Sequence, residues 1–151
     1  MPKFMMLIKG DRPPGEMPSE GMLAAMATYN EDLRKAGALL DLAALHPSVE
    51  GARVRFSGGE RSVIEGPFPR SEQLIAGYWI IEAPSMADAV EWAKRVPFET
   101  GGAHGYDRAD GPEGEVEVRQ VFELDEFAEG PALDRARELK AAPAGGSGRN
   151  A

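Results

Sequence analysis

Residues 74–83 read LIAGYWIIEA, an apolar run in which both alternating sets of side chains are hydrophobic. Side chains on a strand point to opposite faces in turn, so a strand like this has no water-facing side. KFMMLI (3–8) and ALLDLAAL (38–45) share the property. Helices lying on one side of a sheet bury only alternate residues of each strand, so something else must cover the second side. The candidates are a second subunit, a hydrophobic ligand, or both, because an uncovered apolar face of roughly several hundred Å² is an association surface. A homodimer built sheet to sheet is the expectation. Tyr78 and Trp79 must face opposite sides of their strand, one beneath the helices and the other on the second face.

The elements around these runs define a repeat. KFMMLI is closed by Gly10, Asp11 and two prolines, which cannot continue a ladder. Pro18 and Ser19 open a helix in which Met22, Met26, Tyr29 and Leu33 form one stripe, and Gly37 stops it. After 38–45 and the loop HPS, ARVRF (52–56) turns at Gly58-Gly59 into RSVI (61–64), a hairpin. Ser85 caps a second helix, in which Met86, Val90 and Ala93 share a face with Ala89 beside it and Trp92 at its margin; Pro97 ends it. A Gly-rich connection (101–114) leads to EVEVRQVFEL (115–124), read as a half-buried strand in which Val116, Val118, Phe122 and Leu124 alternate with polar residues. This order predicts an α+β fold: a ferredoxin-like split βαβ sandwich with a mostly antiparallel sheet, both helices on one face.

Composition narrows the function. The formal charge of −8, without a basic cluster, disfavours nucleic acid and anionic lipid as partners. The absence of cysteine excludes disulfides, thiolate metal sites and cysteine nucleophiles. No stretch approaches the ~20 apolar residues of a membrane span, and the N-terminus lacks a signal-peptide pattern, so a soluble cytoplasmic protein is expected. No phosphate-binding glycine pattern lies between a strand and a helix, and no cofactor is expected. His104, Asp107 and Asp110 have metal-like composition but sit in the Gly-rich loop, so no metal site is assigned. Ser62, Ser71 and Ser85 lack the context of a nucleophile.

YNEDLRKAGALL (29–40), LHPS (45–48), ARVRFSGGERSVIEGPF (52–68), IAGYWII (75–81) and EVRQVFE (117–123) together resemble the YCII-related family in its DGPF branch, in collinear order over about residues 3–128. The resemblance implies a dimeric α+β barrel, small bacterial proteins, frequent association with extracytoplasmic-function sigma factors and no generally established activity. The domain it implies spans 1–128; beyond it PALDRARELKAA (131–142) predicts a helix within an extension at 129–142, and the composition of 143–151 reads as a disordered tail. This chain has Glu65-Gly66-Pro67-Phe68 where the branch has Asp-Gly-Pro-Phe, and its first helix has no histidine. The acid/base dyad suggested for other branches therefore does not carry over.

The candidate site lies between the open sheet face and this corner. Pro67 stiffens the turn, Phe68 supplies an apolar wall, Glu65 or Glu72 supplies polarity, and Tyr78 is a further pocket or rim candidate. A homodimeric module that binds or senses a small molecule is the leading expectation. One alternative is a cofactor-free enzyme acting on a small lactone, phenol or keto acid, with His46 and Glu65 as acid and base, provided they converge on one cavity. The other is a regulatory partner of a sigma factor.

Overall fold

The computed structural model describes residues 1–98 and 114–143, so the 101–114 loop with His104, Asp107 and Asp110, apart from Gly114, and the tail from 144 lie outside the described residues. In chain order the elements are β1 (Lys3–Lys9), α1 (Glu20–Lys35), β2 (Leu39–Ala44), β3 (Ala52–Ser57), β4 (Glu60–Glu65), β5 (Ile75–Glu82), α2 (Met86–Ala93), β6 (Glu115–Gln120) and α3 (Pro131–Ala141). They fall into two compact units, Met1–Gln120 and Val121–Ala151.

In the first unit four strands form a sheet in the order β2-β5-β1-β6, with every neighbouring pair antiparallel. With α1 and α2 as the two crossovers, this is the ferredoxin-like α+β arrangement. The β3–β4 hairpin is a separate two-stranded sheet inserted between β2 and β5.

Alternation along the central strands decides what is buried. Phe4, Met6 and Ile8 of β1 and Trp79 and Ile81 of β5 lie under the helices, together with Tyr29 and Leu33 of α1 and Ala89 of α2. The cross-strand partners Phe4↔Ile81 and Met6↔Trp79 keep this set on one face. The α1 stripe is the one its spacing predicts, with Met22, Tyr29 and Leu33 buried and Met26 packed beside them. Ser19 caps it by accepting from the Met22 amide at 3.1 Å. At the other end Gly37, at φ 70°, lets the Ala38 amide reach back to Leu33 and its own amide to Arg34, both at 3.0 Å. Trp79 is the inward member of the Tyr78–Trp79 pair: its ring meets Tyr29 edge-on at 5.3 Å and its indole N–H donates to Asn30 Oδ1 at 2.8 Å.

Two expectations change. On α2 the buried residue is Ala89, while Met86 is exposed and Trp92 packs against the core. Ala89, Trp92, Ala93 and Val96 recur at i, i+3, i+4 and i+7 and are the set that meets the core, which leaves Met86 outside the stripe. The expected strand 115–124 also ends early, at Gln120. Its ladder runs on β1, where Gln120 already pairs with Phe4, and β1 begins at Lys3 after Pro2, whose nitrogen carries no proton. Phe122 is consequently outside the sheet and largely exposed, and Leu124 opens a short 3₁₀ turn.

The second unit contains that turn and α3. Glu123 and Glu126 cap the turn reciprocally, and the Phe122 and Phe127 rings pack tilted at 43° with centroids 5.2 Å apart. α3 starts at Pro131 after Gly130, and Arg137 grips both oxygens of Glu129 at 2.8 and 3.0 Å. The bidentate contact holds the Glu129 carboxyl below its usual range. Among the described residues no helix is long and apolar enough to cross a membrane.

Tyr29 ties the core to pH. Its hydroxyl donates to the Trp92 carbonyl at 2.9 Å, and burial pushes its ionisation up to about 12, partly offset by the charge of Arg95. The folded chain therefore holds the phenol proton more tightly than the unfolded chain. Stability from this group is complete below the unfolded value of about 10 and is lost as pH rises toward the folded one. Tyr29→Phe is expected to cost about 1 kcal/mol at neutral pH. It should also flatten the decline in denaturation midpoint between about pH 10 and 12 relative to wild type, measured by urea titration.

Candidate functional site

One end of the sheet gathers the end of β1 (Gly10-Asp11), the exit of β2 (Leu45–Ser48) and the entry to β5 (Leu74–Ala76). Gly10 N donates to Leu74 O at 2.9 Å and Leu45 N to Ala76 O at 2.8 Å, which fixes the three segments side by side. The Glu65–Phe68 corner arrives here from the hairpin.

The corner is held by a residue that sequence reasoning passed over. Asp11 accepts through Oδ1 from the backbone of Ser48 at 2.8 Å and of Arg12 at 3.0 Å, and through Oδ2 from the Ser48 hydroxyl. Ser48 Oγ in turn accepts from the Phe68 amide at 3.1 Å. The backbones close up as well: Gly66 N donates to Gly51 O, and Gly51 N to Ser48 O, each at 2.9 Å. A Cβ on Gly66 would lie 1.6 Å from the Ser48 carbonyl oxygen, so only glycine fits. The Gly66–Pro67 bond is cis. Phe68, half-buried, carries the Arg53 guanidinium over its ring at 4.0 Å. Asp11 and Ser48 were legible only as a strand terminator and part of the LHPS stretch; their connection is a contact over 37 positions.

The other candidates are spread around this core. His46 is 85% exposed and its Nδ1 lies 3.0 Å from Glu50 Oε2. Glu65 is exposed at the end of β4, opposite Ala52. Among the contacts of the described residues, His46 is joined to Glu50 and not to Glu65. Pro67 is exposed, and Glu72 is half-buried in the 3₁₀ turn Ser71–Gln73. That turn follows Arg70, which has φ 63° in the left-handed region.

Tyr78 stands on the face of the sheet opposite the helices. The registers place Leu7 beside it and Met5 beside Ile80, so the middle of this face is an apolar block on the two central strands. Outer strands and strand ends add charge: Glu117 opposite Leu7, Arg119 opposite Met5, Asp41 opposite Ile80, and Lys3 opposite Glu82. Tyr78 reaches diagonally to Asp41, its hydroxyl 3.4 Å from Oδ2. Met5, Leu7, Tyr78 and Ile80 are each half-buried. An apolar centre bearing one phenol–carboxylate pair, within a rim of both charge signs, can hold a small amphiphilic molecule or a complementary surface.

The chain belongs to the YCII-related domain family, whose profile it matches over residues 3–107. It is also 33% identical over 75 residues to an uncharacterised protein of Rhizobium meliloti (strain 1021), a match covering 50% of this chain and 60% of that protein.

The lock at the corner has measurable consequences. Gly66→Ala is expected to destabilise by about 2 kcal/mol or more, since backbone and not a flexible side chain must move. Asp11→Asn and Ser48→Ala should each cost about 1–3 kcal/mol. Because they act on one bond, their combination should fall short of additivity by at least about 0.5 kcal/mol in a double-mutant cycle read by urea denaturation. Additive losses would mean that the two residues act separately.

Proposed function

We propose that the protein is a homodimeric, cytoplasmic module that binds a small amphiphilic molecule on the open sheet face, beside the Asp11–Ser48–Phe68 corner. The observation that carries this reading is the Met5, Leu7, Tyr78 and Ile80 block on the face opposite both helices of its unit. Burying such a block is favourable at about 25 cal/mol per Å², and the phenol of Tyr78 with the carboxylate of Asp41 supplies the polar contacts that orient a ligand. Lys3 and Lys9 stand opposite Glu82 and Glu115, and Arg119 pairs with Glu117 at 3.4 Å, so the rim carries both signs and suits a small aromatic molecule with a polar end, the class that aromatic acids, lactones and keto acids sample. The acid/base alternative draws on His46 and Glu65, and the pairing of His46 with Glu50 gives it no geometric support.

A thermal-shift screen of small aromatic acids, lactones and keto acids tests the reading. A ligand at about 100-fold its Kd should raise the melting temperature by roughly 5–10 °C. Tyr78→Phe and Asp41→Asn should reduce that shift while His46→Ala and Glu65→Gln leave it intact. A shift abolished by His46→Ala or Glu65→Gln, with Tyr78→Phe unaffected, would move the site to the acid/base pair. A panel without any shift would remove the ligand from the proposal.

A further inference from the structure

We infer that the β3–β4 hairpin is a clasp that seats on a second copy of this chain and supplies the part of the dimer contact that the open sheet face cannot. The inference rests on the dimeric reading above and adds to it the segment that completes the interface.

Val54 and Val63 stand directly opposite each other across the hairpin, and Phe56 follows two residues along on the same face. They are 53%, 67% and 66% exposed, which makes one side of the hairpin an apolar strip in water. Arg61, opposite Phe56, lays its guanidinium over that ring at 4.5 Å. The other side carries Arg53, Arg55 and Ser62, with Ile64 half-buried near the root. A two-stranded hairpin exposing its apolar side is at best marginally stable by itself. This one is fixed at its root by the Gly66–Gly51 hydrogen bond, the Ser48–Phe68 hydrogen bond and the stacking of Arg53 on Phe68. Anchoring of that kind pre-organises an arm for docking, because its ordering cost is met before the partner arrives.

Area and charge point to a second copy as the occupant. A stable interface takes about 800 Å² of accessible surface from each partner. The exposed parts of Val54, Phe56 and Val63 offer accessible area on the order of 300 Å² beyond the sheet face, a substantial share of that requirement. Of the hairpin's arginines, Arg61 shares the strip's side, and Glu65 stands at the other end of that side, whereas Arg53 and Arg55 lie on the opposite side. The strip thus carries one charge of each sign beside its apolar centre, a pattern that a second copy of the same chain can match.

Sedimentation equilibrium on the full chain tests the clasp, with circular dichroism confirming the fold of each variant. Wild type should be dimeric at micromolar concentration. Phe56→Ser and the double variant Val54→Thr, Val63→Thr should raise the dimer Kd tenfold or more, as should the face variant Leu7→Lys. If Leu7→Lys alone dissociates the dimer, the clasp is overturned while the sheet-face dimer stands. A monomeric wild type overturns both, and leaves the strip to a different partner. The chain has no cysteine, so Val63→Cys provides an independent reading by maleimide labelling. Labelling should be at least tenfold slower in concentrated than in dilute protein; equal rates overturn the clasp.

Discussion

A strand can place only half of its side chains beneath a layer of helices, and the main sheet of this protein is built from strands that are apolar on both halves. On β1, Phe4, Met6 and Ile8 are buried at 1%, 0% and 6% exposure, and the intervening Met5 and Leu7 are left half-exposed. The same division splits Trp79 from Tyr78 on β5. The first set makes the core with α1 and α2, where Tyr29 joins Trp79 and Trp92 edge-on and spends its hydroxyl on a helix carbonyl. The second set cannot be recruited to that core without a register slip that would exchange the two faces. A surface of this kind follows from the fold, and its energetic weight is available to whatever covers it.

The corner at 65–68 belongs to a different layer of organisation. Its contacts run to segments distant in sequence: Asp11 at the end of β1, Ser48 after β2 and Gly51 at the start of the hairpin. Each is short and polar, and they converge where Gly66 has no room for a side chain. Charge-assisted acceptance by Asp11 makes this the strongest polar node of the site, because one carboxylate satisfies a hydroxyl and two amides at once. The node sets the direction in which the hairpin leaves the domain. It also accounts for the Gly-Pro-Phe sequence on structural grounds, with Gly66 needed for the approach and Phe68 for the arginine stack.

Much of the architecture was legible from spacing. Short apolar runs closed by glycine, proline and polar turns located the main strands, a period of 3.6 located α1, and Ser19, Ser85 and Gly37 marked helix ends where the structure has them. The failures share a cause. The length of β6 depends on where its partner β1 begins, and the face of α2 depends on which of its apolar side chains meet the core; neither is written in the local segment. The site was less legible for the same reason. Asp11 and Ser48 are ordinary loop residues in sequence, and only the fold brings them together across 37 positions. Glu65 stands next to the corner in sequence, yet the corner's amides bond to Ser48 and Gly51.

The open face and the hairpin share one physical logic, although they lie in different sheets. Each offers apolar side chains flanked by charges, Glu117 and Arg119 around Leu7 and Met5, and Arg61 beside Phe56. Such flanking limits promiscuous association, since a wrong partner would have to desolvate those charges without pairing them. A partner that matches them gains both the burial and the ion pairs. Anything that displaces the Ser48–Phe68 hydrogen bond loosens the root of the hairpin and the seat of the Phe68 ring under Arg53 together.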